Sequence, residues 1–228
     1  MARPFRRYSA GARWYDVLSG ERWVYRAGRV AGIGLMDLQA GDVVLDLGCG
    51  TGLNFPLLRR AVGEAGHIVG VDRSADMLAV ARARARREGW SNVTFVEADA
   101  AELDVDGLRA RIGAATGRAT ADAVLTTYAL SVMRDGAAEA WRRAVALVRP
   151  GGILAVVDMQ PPTGRWRILA PLARLACALG GADIHARPWR LVARDAAPGS
   201  VREAAVRGGH IVAAVGRSPG EVAPTARS

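Results

Sequence analysis

A chain of 228 residues and 24.1 kDa, half of them hydrophobic, suffices for one well-buried core but not for two ordinary domains. All 31 basic residues are arginine, set against 22 acids for a net charge of +9, and the lack of lysine excludes Schiff-base chemistry and a Walker-type phosphate loop. Cys49 and Cys177 are too few for a disulfide framework, His67, His185 and His210 stand singly without metal-ligand spacing, and no apolar run reaches membrane-spanning length or forms a secretory signal, so the expectation is a soluble cytoplasmic protein without a metal.

In chain order, residues 1–40 read as a helical cap. Trp23, Ala27, Val30 and Ala31 fall on one helical face, and Arg22, Arg26 and Arg29 on another. From residue 42 short apolar runs alternate with helical patterns, the signature of a parallel sheet covered by helices. The runs are 42–47, 67–72, 93–96, 121–125 and 153–158, and the clearest helices are 75–87 and 136–148, the latter stopped by Arg149-Pro150-Gly151-Gly152. Residues 166–179 are mostly apolar but broken by Pro171, and Gly208-Gly209 between two Val/Ala-rich runs signals an antiparallel hairpin. The main domain is thus expected over 41–217, with a disordered tail at 218–228. Charge is uneven: residues 1–30 carry seven Arg and two acids, 31–162 fourteen Arg and sixteen acids, and 163–228 ten Arg and four acids. The basic excess flanks the middle of the chain, which fits an anionic substrate or surface, or equally an arginine-rich composition that merely solvates the outside.

The run Val43-Val44-Leu45-Asp46-Leu47-Gly48-Cys49-Gly50-Thr51-Gly52-Leu53-Asn54 takes a buried strand into a glycine turn and then a helix. Such a turn lets a ligand approach backbone at the carboxyl end of a parallel strand. The dinucleotide pattern G-x-G-x-x-G fails in both registers, because Leu53 or Phe55 stands at the third glycine. Asp72 closes the second run 20 residues after Gly52, placed to accept from a ribose hydroxyl pair, and Asp99 with Ala100 closes the third, placed to meet an adenine edge. Asp46 reads equally as an acid capping the loop, and Asp72 as an N-cap for the helix at Ala75. Cys49 reads as a small packed side chain beside glycine, Arg73 as a flank of the purine, and Met77 as a flank of the purine or equally as a packed helix residue.

These motifs in order, DLGCGTG at 46–52, GVDRS at 70–74, EADA at 97–100 and LVRPGG at 147–152, resemble the class I S-adenosylmethionine-dependent methyltransferases. The resemblance implies a Rossmann-like α/β fold with a seven-stranded, mostly parallel sheet ending in an antiparallel hairpin, and S-adenosylmethionine as cofactor. It further implies that Gly48, Cys49, Gly50 and Gly52 wrap the methionine part and that Asp46 holds its amino acid moiety. Asp72 would take the ribose and Asp99 with Ala100 the adenine, while Asn54, Arg73, Met77 and Thr126 complete the cofactor site.

In that family the acceptor meets the methyl group at the end of the fourth strand, where this chain has Thr126-Thr127-Tyr128-Ala129. Tyr128 either orients the acceptor as a catalytic residue or forms a wall. Base methylation of nucleic acid is disfavoured, since TTYA replaces the N-P-P-Y type of motif and neither cysteine follows a proline. The segment Arg13-Trp14-Tyr15-Asp16 is similar to the quinone-biosynthesis and phospholipid N-methyltransferase branches, in which it caps the cofactor, so Tyr8 and Tyr15 are lid candidates. Arg165 to Leu172 suits either a lid helix packed on the sheet or an interfacial helix touching an anionic membrane. The expected reaction is methyl transfer to a small, rather apolar or amphipathic acceptor: a lipid amine, a quinol or a secondary metabolite. Aminocarboxypropyl transfer from the same cofactor, or a non-catalytic cofactor-binding module, are the alternatives.

Overall fold

The computed structural model describes residues 25–220. Its centre is a seven-stranded sheet in the order β3-β2-β1-β4-β5-β7-β6. Strands β1 (Val43–Leu47), β2 (His67–Asp72), β3 (Val93–Glu97), β4 (Ala121–Thr127) and β5 (Val148–Met159) are parallel, while β7 (Ile211–Arg217) lies antiparallel between β5 and β6 (Arg202–Val206). β1 and β4 are buried at every residue, because helices cover both faces of the central strands; they are mostly apolar, with Asp46, Asp122, Thr126 and Thr127 as buried polar exceptions. The expected hairpin turns at Arg207–His210, with Val206 opposite Ile211.

Strand alternation divides the core. Val44, Leu125 and Val157 face α1 (Arg26–Met36), α2 (Phe55–Val62) and α3 (Ala75–Arg87). Leu45, Val124 and Val156 face α4 (Val105–Thr116), α6 (Ala137–Val145) and α8 (Arg190–Asp195). On that second face Trp141 is fully enclosed and its indole N–H donates to Asp195 Oδ2 at 2.8 Å, so a large apolar body is buried with its one polar atom satisfied. Two further helices are α5 (Leu130–Met133) and α7 (Ala170–Leu179).

Three expectations change. First, β5 begins at Val148, not 153: Ala121 pairs with Val148 and Ala123 with Ile153, so Arg149-Pro150-Gly151-Gly152 forms an irregularity inside the strand, and α6 ends at Val145. Asp122 pins this irregularity, accepting from the Val43 N–H (2.8 Å), Arg118 (2.7 Å) and Arg149 (2.7 Å). Burial alone would raise its pKa, but these donors outweigh burial and hold the carboxyl below its usual range.

Second, the inward face of α1 is not the predicted one. Gly28, Arg29, Gly32, Ile33 and Met36 are buried, whereas Val30 is exposed. A side chain at Gly28 would strike Ile211 and the Tyr128 hydroxyl, and one at Gly32 would strike Val157, so two glycines a turn apart bring the helix backbone against the sheet and turn Arg29 inward with them. Third, Ser218 and Pro219 remain on the sheet, the Ser218 N–H donating to Gly152 O (2.8 Å) and the Gly151 N–H to Pro219 O (3.2 Å). Small residues there extend the β5–β7 edge by two more backbone bonds.

Candidate functional site

The carboxyl ends of β1, β2, β3 and β4 open onto a cleft of about 710 Å³, at the point where the chain order of the sheet switches between β1 and β4. After β1 the backbone turns back sharply, with the N–H groups of Gly48 and Cys49 both donating to Val71 O (2.8 and 3.0 Å). Gly50 adopts φ +55° and, among the described residues, has nothing within 4 Å of where a Cβ would stand, so at this position the missing side chain leaves room for a ligand. Cys49 lies along the cleft wall with its sulfur close to Gly70; burial, first of all, raises its pKa well above the usual thiol range, so it packs and does not act as a thiolate.

Asp72 holds this loop. Its Oδ2 accepts from the Gly50 N–H at 2.8 Å and its Oδ1 from the Ser74 N–H at 2.9 Å. The α3 N-cap is Ser74, whose hydroxyl accepts from the Met77 N–H at 3.3 Å, so Asp72 does not cap that helix. Burial pushes the Asp72 pKa up, against the Ser74, Gly50 and Arg73 N–H groups and the Arg73 charge, which favour the anion. A carboxylate has about four acceptor directions, and Asp72 lines the cleft, where those not taken by N–H groups are open to a ligand. Across from it Asp99 caps the short turn Ala100–Glu102 through Ala101 N–H (2.9 Å) and lines the cleft with Ala100, Arg73 and Met77.

Beneath the floor lies a buried polar network, of which Arg29 and Thr127 reach the cleft wall while Asp46 and Asn54 stay behind it. Asp46 Oδ1 accepts from Asn54 Nδ2 (2.8 Å), which also reaches Thr127 Oγ1 (3.1 Å); Arg29 Nη1 donates to Asn54 Oδ1 (3.0 Å) and to Thr127 Oγ1 (2.6 Å). Asp46 Oδ2 has no hydrogen-bond partner among the described residues. Desolvation raises the Asp46 pKa to about 7, despite the Asn54 bond and the positive Arg29. Gly52 also lies behind the surface, packed so that a Cβ would meet the Phe55 ring at 2.6 Å.

Of the residues expected from sequence, the cleft gathers Gly48, Cys49, Gly50, Asp72, Arg73, Met77, Asp99, Ala100 and Tyr128; Asp46, Gly52 and Asn54 support it from below. Thr126 is a correction. It points to the α4 and α6 face, where its buried hydroxyl has no partner among the described residues, and the alternation of β4 brings Thr127 to the cleft instead. Tyr8 and Tyr15 lie outside the described residues. Arg29 escaped the sequence reading because a guanidinium on an amphipathic helix ordinarily faces water; the Gly28/Gly32 spacing was the available signal.

Tyr128 has φ +57°, an uncommon conformation for a large side chain that other contacts must maintain. Its N–H donates to Val157 O (2.8 Å), its hydroxyl donates to Tyr25 O (2.8 Å), its ring meets Tyr25 edge-on at 4.8 Å, and the Arg29 guanidinium lies 5.1 Å from the ring centre. The end of β4 thus presents an aromatic ring and a fixed cation side by side.

Residues 38–182 match a family described as "Methyltransferase domain". Among curated proteins, the chain is 31% identical over 128 residues to demethylmenaquinone methyltransferase of Shouchella clausii, covering 56% of this chain and 49% of that protein. It is 31% identical over 184 residues to the ubiquinone/menaquinone biosynthesis C-methyltransferase UbiE of Vibrio campbellii, covering 79% and 62%. The chain therefore spans about half to three fifths of the length of these relatives. An S-adenosylmethionine-dependent methyltransferase structure from Aquifex aeolicus superposes with a TM-score of 0.59 at 16% identity, over 92% of this chain and 98% of that one, which establishes likeness of fold.

Proposed function

This chain belongs to the class I S-adenosylmethionine-dependent methyltransferases, and from that premise we propose that it methylates a hydroxylated aromatic ring of the quinol class. The residues present fit the cofactor: a carboxylate with spare acceptor directions, a side-chain-free approach at Gly50, and an orphaned carboxylate oxygen on Asp46 directly beneath. Asp72 would take the ribose hydroxyls, Asp99 and Ala100 the adenine edge, Arg73 and Met77 its faces, and the 48–52 loop the methionine part, backed by Asp46 and Asn54. When bound, S-adenosylmethionine supplies a sulfonium-activated methyl group open to in-line attack.

The observation that carries the acceptor class is the Arg29 guanidinium held against Tyr128 at the cleft wall. Attack by a ring carbon requires the hydroxyl next to it to lose its proton, and a fixed cation lowers the pKa of a phenol that binds beside it. Arg29 therefore favours the phenolate without a dedicated base, and the phenol proton passes to water. With S-adenosylmethionine bound, bonding of the ring carbon to the methyl group would be matched by departure of the carbon–sulfur pair to sulfur, and the ring would regain aromaticity by losing its proton to solvent. Tyr128, its hydroxyl already donated to Tyr25, contributes a flat wall that aligns the ring. The names of the quinone-methylating relatives agree with this class of acceptor.

The test incubates the purified chain with demethylmenaquinol and cofactor labelled separately in the methyl and aminocarboxypropyl groups. Methyl label in the reduced quinol and none with the oxidised quinone is expected. Transfer of the other label, or label in an RNA extract only, would overturn the reading. Arg29→Leu should lower kcat and move the pH–rate profile toward alkaline pH, with Arg29→Lys recovering part of both.

A further inference from the structure

The surface farthest from an ordinary soluble exterior is α7 with the turn that precedes it. Only Cys177 of α7 is buried, with Ala170 and Ala173 half-buried on the same side. At 100° per residue Leu172, Leu175 and Leu179 point directly away from that side, and they are 66%, 59% and 73% exposed; Ile168, one turn earlier, is 82% exposed. The helix packs on Met159 of β5 through Cys177 and Ala173 and leaves the leucine stripe on its opposite face uncovered. Trp166, itself partly exposed, sits at the start of the stripe with the Arg165 guanidinium 5.2 Å from its ring.

Charge selects the occupant. Between Gln160 and Ala182 there is no acid, and Arg165, Arg167 and Arg174 are all exposed. A second copy docked through the same face would bring these three arginines against themselves. The N-terminal segment 1–24, with five arginines and two acids, carries the same sign. An anionic surface with an apolar interior answers both the leucines and the arginines.

We propose that Gly164–Leu179 is a docking surface for an anionic lipid bilayer, the leucine stripe entering the acyl boundary and the arginines meeting lipid phosphates. The site lies close by: Cys177, Ala182 and Ile184 form one apolar cluster with Met159, Tyr128 and Val132, and both Tyr128 and Val132 line the cleft. A lipophilic acceptor held in the bilayer would thus be one side-chain layer from the catalytic wall. Docking goes beyond the methyl-transfer reading, since vesicle binding requires neither cofactor nor acceptor and is measured without them.

The experiment is co-flotation of the full chain with phosphatidylcholine vesicles, with and without phosphatidylglycerol. Binding is expected to the anionic vesicles, weakly to the neutral ones, and to fall with salt. Arg165→Gln/Arg167→Gln/Arg174→Gln should weaken it by up to about 100-fold, and Leu172→Ser/Leu175→Ser/Leu179→Ser by about tenfold or more, with thermal midpoints unchanged because these side chains are solvent-exposed. Should either variant fold poorly, quenching of wild-type fluorescence by brominated lipid, with Trp166→Phe supplying the difference, tests the same contact. Equal binding to neutral and anionic vesicles, variants that bind like wild type, an unquenched Trp166, or a soluble dimer dissolved by the leucine variant without vesicle binding would each overturn the proposal.

Discussion

Replacing Asp72 by alanine separates the task the structure gives this carboxylate from the one proposed for it. Within the protein it anchors Gly50 and Ser74 through two N–H donors, at 2.8 and 2.9 Å. Two net bonds of about 1 kcal/mol each predict a loss of about 2 kcal/mol of folding stability, which for a domain of this size lowers Tm by about 4–8 °C. In its proposed role toward the cofactor it would accept from two ribose hydroxyls. At about 1.5 kcal/mol apiece, the low end for a charged acceptor because Asp72 keeps some contact with solvent, the loss is about 3 kcal/mol, or about a hundredfold in Kd. Calorimetric titration with S-adenosylhomocysteine, well below the lowered Tm, measures the second effect alone. Ser74→Ala is the control: it removes the α3 cap that accepts from Met77 N–H and costs about 1 kcal/mol of stability, but leaves the carboxylate, so affinity should hold within about twofold. An Asp72→Ala protein that is folded and binds as tightly as wild type would refute the assignment of the ribose.

Three further outcomes follow from the same geometry. Because the Asp46 pKa is raised from 3.8 to about 7, its protonated form favours the fold; the stability it contributes is full below pH 3.8 and is lost as pH rises through about 7. Asp46→Asn should therefore be more stable than wild type at pH 8, by at most about 4 kcal/mol, and flatter in its Tm–pH curve, while binding cofactor more weakly. Thr126→Val removes a buried hydroxyl that has no partner among the described residues and should raise stability by about 1 kcal/mol with unchanged cofactor affinity, whereas Thr127→Val breaks the bonds to Arg29 and Asn54 and should lower both; denaturant titration and calorimetry distinguish them. Gly28→Ala pushes a methyl group into Ile211 and the Tyr128 hydroxyl, for a cost of about 1–3 kcal/mol visible in thermal melts and in a displaced Tyr128.

Sequence legibility followed the range of the physics. The five parallel strands, the helix at 75–87 and the terminal hairpin were readable because apolar runs, a cap and a Gly-Gly turn are local features written in neighbouring residues. The glycine loop and Asp72 were readable because strand ends in a parallel sheet are themselves local. Strand β5 was misjudged at its start because Pro150 and two glycines ordinarily end an element, and only pairing with β4, pinned by Asp122 from another strand, carries the chain through them. Thr126 and Thr127 are adjacent and chemically identical, so composition cannot choose between them.

By itself, then, the sequence determined the sheet-and-helix order, the ligand-binding edge, the acids that would line it and the family resemblance. Tertiary structure decided which face of each element looks where: that Arg29 turns inward on two glycines, that Thr127 and not Thr126 meets the cleft, and that the α7 leucines look outward. The reason is that periodicity ranks faces by their average polarity, whereas the packed protein ranks them by fit. Gly28 and Gly32 offer the closer approach, and closer approach outweighs the cost of burying one arginine once Asn54, Thr127 and the Tyr128 ring are there to receive it.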